Sequence, residues 1–534
     1  MSIPRLVACA CAAAIAVAAG PRAVAKQASR YDLVIAGGMV IDGSGRPGVV
    51  QDIAIKDGRI AALGRIPRAQ GAQSIDAAGL VVAPGFIDVH THADDLVGSP
   101  GAANFVRMGV TTIVAGNCGS SALDVGMALN ALREKPAAIN FATLIGHNTV
   151  RSAVLGSANR APNVSELSRM RSLVWKAMAD GAVGFSTGLQ YVPGTYAKAS
   201  EIIDLAHISA NAGGIYASHM RNEGTELEQA IAETIRVGEM AQGRVEISHL
   251  KVDSPNRWGA SEKALAMIDA ARQRGIDVRA DQYAYTAASS TLRIRFPSWV
   301  FEGGQSKTAE RLNDPETWLK IKREMAALLA ERGLADLSFA TVAMFRPDQK
   351  LNGLTMKQVA ERRKGSGTID AQFEAAREMV LDGGASMVYH FMSDDDVDRI
   401  MRHPQVAIAS DASVIGFGDG APHPRGYGNN ARVLGTYTRT RHVIPLEEAI
   451  RKMTSLPATH FKLANRGFLR QGYAADLVVF DAATVRDTAT FESPHSYAEG
   501  VPYVLVNGVV VVGNGTQTDA RPGQVIANSL IERK

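Results

Sequence analysis

A (β/α)8, TIM-like barrel carrying a small β-sandwich domain is the α/β architecture this 534-residue sequence predicts. Three observations carry that prediction. Eight short apolar runs alternate with helical stretches through the middle of the chain. Histidine, cysteine and aspartate recur at the ends of those runs. Both ends of the chain carry turn-rich strand patterns unlike the middle.

Taken in order, residues 1–25 read as a secretory signal peptide. Arg5 supplies a positive start, Leu6 to Ala19 an apolar stretch, and Ala23-Val24-Ala25 a small-x-small cleavage pattern. The apolar stretch is shorter than the roughly 20 residues a spanning helix needs. A bacterial protein exported to the periplasm or medium, with no membrane attachment after cleavage, is therefore expected. Residues 26–84 and 462–534 are expected to share the small β-sandwich domain. Tyr31–Ala83 has turn signals at Gly37-Gly38, Asp42-Gly43 and Asp57-Gly58, and Tyr473–Gln517 has one at Asn507-Gly508. Neither piece is large enough to bury its own strands.

Residues 85–461 carry the barrel rhythm. The expected strands are Gly85–His90, Thr111–Gly116, Asn140–Gly146, Ala182–Ser186, Gly214–Ser218, Arg244–Ser248, Gly275–Gln282 and Gln405–Ser410. They are apolar throughout rather than alternating, as strands covered on both faces are. More than 120 residues separate the last two, and residues 288–345 read as an insertion able to cover the barrel mouth.

Composition excludes several function classes. Without the leader the chain has 55 basic against 53 acidic residues, which gives no reason to expect nucleic acid or a membrane as partner. A small-molecule partner remains, and the oligomeric state is open. Cys9 and Cys11 fall in the leader, so Cys118 is alone in the mature chain. No intramolecular disulfide can form, and a lone thiol outside the cytoplasm oxidises unless it is buried or ligated.

His90 and His92 stand one residue apart at the end of VVAPGFIDVHTH, so on an extended backbone both imidazoles face one way. Cys118 follows TTIVAGN, His219 ends IYASH, His249 ends VEISH and Asp411 follows VAIAS. Active sites of this barrel lie at the C-terminal ends of the strands, where all six fall. Thiolate and imidazole donors suit zinc. His147 and His423 are secondary candidates for lining the pocket.

The motifs PGFIDVHTHAD, GNCG, GFSTGLQYVPG, YASHMRNEG, EISHLK, DQYAYTAASS, SDAS, HPRGYG, KMTSLPATHF and GYAADLVVFD occur in this order. In that order they resemble the amidohydrolase superfamily, and within it the N-acyl-D-amino-acid deacylases (D-aminoacylases), over almost the whole mature chain. The resemblance implies that Cys118, His219 and His249 hold a tightly bound Zn²⁺ with Asp411 close by. It implies that His90 and His92 serve a second, weaker site, giving one or two ions per subunit. Many superfamily members bridge two metals with a carboxylated lysine after the fourth strand. This chain has GAVGFSTGL there, without lysine. The implied reaction is hydrolysis of the amide bond of an N-acyl-D-amino acid, with Asp411 as general base and acid.

For substrate recognition, Lys251 lies two residues after His249, and the resemblance adds Tyr191 and Tyr283 as partners for the α-carboxylate. Arg293 and Arg295 in LRIRF share a face if extended, which fits an acidic side chain such as D-glutamate or D-aspartate. Arg221 fits a supporting salt bridge or a substrate contact. The rival reading in the same chemistry is a cyclic amidase resembling dihydroorotase or hydantoinase. A non-catalytic barrel scaffold is the remote one.

Overall fold

The computed structural model of the chain describes residues 1–3 and 29–528, so all but the start of the expected leader lies outside the described residues. Eight strands make the barrel: β1 (Phe86–Asp88), β2 (Val110–Ala115), β3 (Asn140–Gly146), β4 (Gly184–Gly188), β5 (Ile215–His219), β6 (Arg244–Ile247), β7 (Val278–Gln282) and β8 (Val406–Ile408). Each pairs in parallel with its neighbours in sequence, and every expected run is one of these strands. The seam between β8 and β1 closes just past their ends. There Asp411 N donates to His90 O at 2.9 Å and His92 N donates to Ala412 O at 2.8 Å. The seam is thus built from candidate ligands.

Ile87, Val89, Val114, Leu144, Ala217 and Ala409 pack together inside the barrel. Their sequence neighbours Phe86, Ile113, Ile145 and Tyr216 belong instead to the core shared with the surrounding helices. Successive side chains of a strand take opposite faces, and both faces here are dry. The helix Val164–Asp180, between β3 and β4, starts at a capping box in which Asn163 and Glu166 satisfy each other's backbone N–H groups.

Strands from both ends of the described chain form the small β domain, bonded as one nine-stranded sheet. Val81–Pro84 runs antiparallel to Leu477–Phe480, and this pair joins the N-terminal strands to the C-terminal ones. Asp57-Gly58 and Asn507-Gly508 are the expected tight turns, all four residues having positive φ. Gly37-Gly38 is not a turn. It is a bulge within the strand Tyr31–Val40, where Gly37 has φ 74° and the register to Val49–Lys56 shifts.

The insertion carries a three-stranded antiparallel sheet, Ala287–Thr291 and Ala340–Met344 on either side of Ser386–His390. Its central strand lies well past residue 345, so the inserted unit extends beyond the expected boundary. The helices Met356–Lys364 and Ile369–Leu381 follow residue 345 and lead into that strand.

Candidate metal centre

His90 and His92 follow β1, Cys118 follows β2, His219 ends β5, His249 follows β6 and Asp411 follows β8. Cys118, His249 and Asp411 have φ of 51°, 36° and 53°. A side-chain-bearing residue in this left-handed region costs roughly 1–2 kcal/mol. The reversal ends the extended run and brings each side chain over the barrel mouth.

There the donors converge. Cys118 Sγ lies 3.3 Å from His90 Nε2, 3.6 Å from His219 Nδ1 and 3.5 Å from His249 Nε2. Around a tetrahedral zinc, sulfur at ~2.3 Å and nitrogen at ~2.0–2.1 Å stand about 3.5 Å apart. The thiol and imidazoles therefore have the spacing that ion requires. His219 Nδ1 and His249 Nε2 stand closer, at 2.8 Å. His92 Nε2 and His90 Nε2 approach Asp411 Oδ1 at 3.1 and 3.6 Å, a second group of three donors within ligand reach of one another.

The field at the mouth favours anionic ligands. Burial opposes ionisation of the Cys118 thiol. The charges of His90 and His249 and hydrogen bonds from His219 and His249 outweigh it and hold the group well below the ordinary thiol range. Asp411 is likewise opposed by burial, yet Arg425, His249 and His92 hold it well below the usual carboxylate range.

Supporting residues fix the candidate ligands. Asp281, at the end of β7, accepts from His249 N at 2.8 Å and lies 3.3 Å from His90 Nδ1. Gln190 Oε1 is 3.0 Å from His219 Nε2, and Glu223 Oε1 is 2.9 Å from His249 Nδ1. Arg425 pairs with Asp411 at 3.0 Å. None of these four was singled out from the sequence. All four nevertheless sit in quoted motifs, Gln190 in GFSTGLQYVPG, Glu223 in YASHMRNEG, Asp281 in DQYAYTAASS and Arg425 in HPRGYG, and Asp281 lies at the end of a barrel strand, the signal that singled out the candidate ligands.

The substrate candidates divide. Lys251 and Tyr191 line a small inner cavity of about 30 Å³ with His219 and His249, and Lys251 Nζ donates to Glu223 at 2.7 Å. Tyr283 is not brought to the cavity wall. Its buried ring lies under the Arg425 guanidinium at 4.5 Å, and its hydroxyl donates to Met392 Sδ at 3.5 Å. Arg293 and Arg295 do not share a face, because Leu292–Arg295 is a 3-10 turn and not an extended strand. Arg293 is exposed. Arg295 is buried in the inner-cavity wall, 4.3 Å from the Tyr389 ring centroid, with no carboxylate paired to it among the described residues. Arg221 makes the supporting salt bridge, to Glu233 at 2.9 Å. His147 is bonded to Glu201 at 2.8 Å, whereas His423 lines the outer mouth.

That mouth, about 590 Å³, opens on His92, Cys118 and Asp411 and is roofed by Ser289, Met344 and Ser386 of the inserted sheet.

The chain matches the amidohydrolase family over residues 73–512. It is 38% identical to a D-aminoacylase of Alcaligenes xylosoxydans xylosoxydans, over 93% of this chain and 98% of the relative. It is 36% identical to an N-acyl-D-glutamate deacylase of the same organism, over 93% and 96%. Among solved structures, N-acyl-D-glutamate deacylase from Bordetella bronchiseptica, complexed with zinc and a phosphonate inhibitor, superposes with a TM-score of 0.81 at 35% identity, covering 93% of this chain and 100% of that one. A D-hydantoinase structure, 15% identical with a TM-score of 0.55 over 93% of this chain and 98% of that one, shares the fold. With a matched span that runs from the small β domain through the whole barrel and back, the chain belongs to the amidohydrolase family, in its D-aminoacylase branch.

Proposed function

We propose that the protein is a zinc-dependent hydrolase of N-acyl-D-amino acids, releasing a carboxylate and a D-amino acid. The observation that carries this reading is the convergence of the Cys118 thiolate on His219 and His249, with the Asp411 carboxylate facing the same mouth. Cys118, His219 and His249 would hold the tighter zinc, and His90 and His92 with Asp411 a second. When bound, the ion supplies Lewis-acid activation of water and of the amide carbonyl.

The chain's own residues do the rest. Asp411, kept ionised by Arg425, accepts the proton of the attacking water and delivers it to the departing amine nitrogen. Lys251 and Tyr191 take the α-carboxylate in the inner cavity. Arg295 reads the side chain: a buried guanidinium without an acidic partner is stabilised by an anionic ligand, so D-glutamate or D-aspartate derivatives are the preferred substrates.

The test is a panel of N-acetyl-D- and N-acetyl-L-amino acids with zinc-loaded enzyme, run beside a hydantoin. Hydrolysis confined to D-enantiomers supports the reading, and turnover of the hydantoin alone favours the cyclic amidase. Clear preference for N-acetyl-D-leucine over N-acetyl-D-glutamate removes the role given to Arg295. Export rests on the pattern in residues 1–25. N-terminal sequencing of the mature protein should then begin at Lys26.

A further inference from the structure

A long excursion from the small β domain ends at the rim of the barrel mouth. Residues 481–502 leave that domain between the neighbouring strands Leu477–Phe480 and Tyr503–Val506. The neck is narrow: Asp481 N donates to Gly500 O at 2.9 Å, and Arg486 and Glu499 exchange backbone bonds at 3.2 and 3.1 Å. At the far end the Phe491 ring lies 5.1 Å from that of His423 and 4.7 Å from that of His390, which ends the central strand of the inserted sheet. Four residues on, His495 meets the loop after β8. Gly418 N and the Tyr427 hydroxyl stand 3.2 and 3.0 Å from its Nδ1, and Gly420 O lies 3.1 Å from its Nε2. A backbone N–H can only donate and a carbonyl can only accept, so Nδ1 is the acceptor and the ring proton sits on Nε2.

The loop joins Asp411 to Arg425 and forms one wall of the mouth, with Val414, Ile415, Gly416 and Asp419 on its surface. Its two ends are secured without His495. Asp411 N donates to His90 O at 2.9 Å, Asn104 Nδ2 to Ser413 O at 3.1 Å, and His423 Nε2 to Ala287 O at 2.9 Å. The apex, Gly416–Gly420, differs. Glycine holds three of its five positions, two of them with φ of 94° and 68°, so its backbone has little conformational preference of its own. Among the described residues, every hydrogen bond from the apex to another segment goes to His495. We propose that His495 is a positioning residue of the substrate site, holding the apex in the shape that receives the part of the substrate left outside the inner cavity. The inference rests on the deacylase reading above. The inner cavity is only about 30 Å³, so a substrate that reaches the candidate ligands also occupies the mouth. Because Asp411 and Arg425 are held separately, losing the pin weakens binding and spares the chemical step. A loop that adopts its binding shape a tenth of the time raises the apparent dissociation constant about tenfold.

The experiment measures kcat and KM separately in three variants, on the best substrate of the N-acetyl-D-amino-acid panel. His495→Ala removes the ring and its bonds. His495→Phe keeps a ring against Phe417 and Tyr427 but has no nitrogen, and His495→Gln restores a donor and an acceptor at similar reach. KM is expected to rise about fivefold or more in the first two, with kcat within about twofold of wild type, and His495→Gln should recover most of the loss. Hydrogen exchange in 416–420, read without substrate, should quicken in His495→Ala and His495→Phe and stay unchanged in β8. KM close to wild type in both of those variants would overturn the proposal, as would a glutamine variant no better than the phenylalanine one. A fall in kcat matching the rise in KM also overturns it, since the chemical step would then depend on His495. Unchanged exchange in His495→Ala removes the pin whatever the substrate. Absence of turnover by wild type on the whole panel sinks the deacylase reading instead.

Discussion

Asp281→Asn is the perturbation that tests the site's architecture most directly. Asp281 offers one carboxylate oxygen to His249 N at 2.8 Å and the other to His90 Nδ1 at 3.3 Å. Both neighbours are donors when His90 turns its Nε2 lone pair towards a metal. A carboxylate accepts from both, whereas an amide accepts with its oxygen and presents a second donor with its nitrogen. One buried N–H is left facing another, a cost of about 1–3 kcal/mol. Loss of such an orienting partner weakens metal binding about 10–100-fold. The second ion proposed at His90, His92 and Asp411 should suffer most. Titrating the apo variant with zinc against a chromophoric chelator measures this, and unfolding of the apo protein in urea separates it from global destabilisation. Zinc affinity within twofold of wild type at both sites would refute the reasoning.

Three further outcomes are expected. Cys118→Ser exchanges a thiolate for a poorly coordinating hydroxyl, so bound zinc by mass spectrometry should fall below one per chain and kcat/KM at least 100-fold. Arg295→Leu should lower kcat/KM for N-acetyl-D-glutamate by about 2–3 kcal/mol, or 30–150-fold, while N-acetyl-D-leucine gains relative to it; a parallel loss on both would deny Arg295 a selective role. Burial pushes Lys452 down to about 7, below its ordinary 10.5, while its amine donates to Val406 O at 2.9 Å. Between those values the unfolded chain keeps a proton that the folded chain has released. Stability should therefore rise with pH through that window, by at most about 1.4 kcal/mol per pH unit, and level off above it. Urea midpoints at pH 7 and 9 should diverge in wild type and converge in Lys452→Met.

The barrel was legible in the sequence because its strands are dry on both faces, which leaves uninterrupted apolar runs such as Asn140–Gly146. Its candidate metal ligands were legible because they end those runs. What stayed hidden depends on partners far along the chain. Asp281 meets His90 across 191 positions, and Ser386–His390 becomes the central strand of the insertion only by pairing with strands about 45 and 100 residues earlier. Alternation in LRIRF fits an extended strand and a 3-10 turn equally well, and the turn is what separates Arg293 from Arg295. Tyr283 was placed by resemblance, and the packing of Arg425 on its ring face is invisible to pattern.

The left-handed backbone at Cys118, His249 and Asp411 has a consequence for engineering. At each of these positions glycine would relieve local strain, so a screen rewarding heat tolerance alone would drift towards variants with a calmer and inert barrel. Improvement of this scaffold has to select turnover and robustness together, with those three codons held fixed.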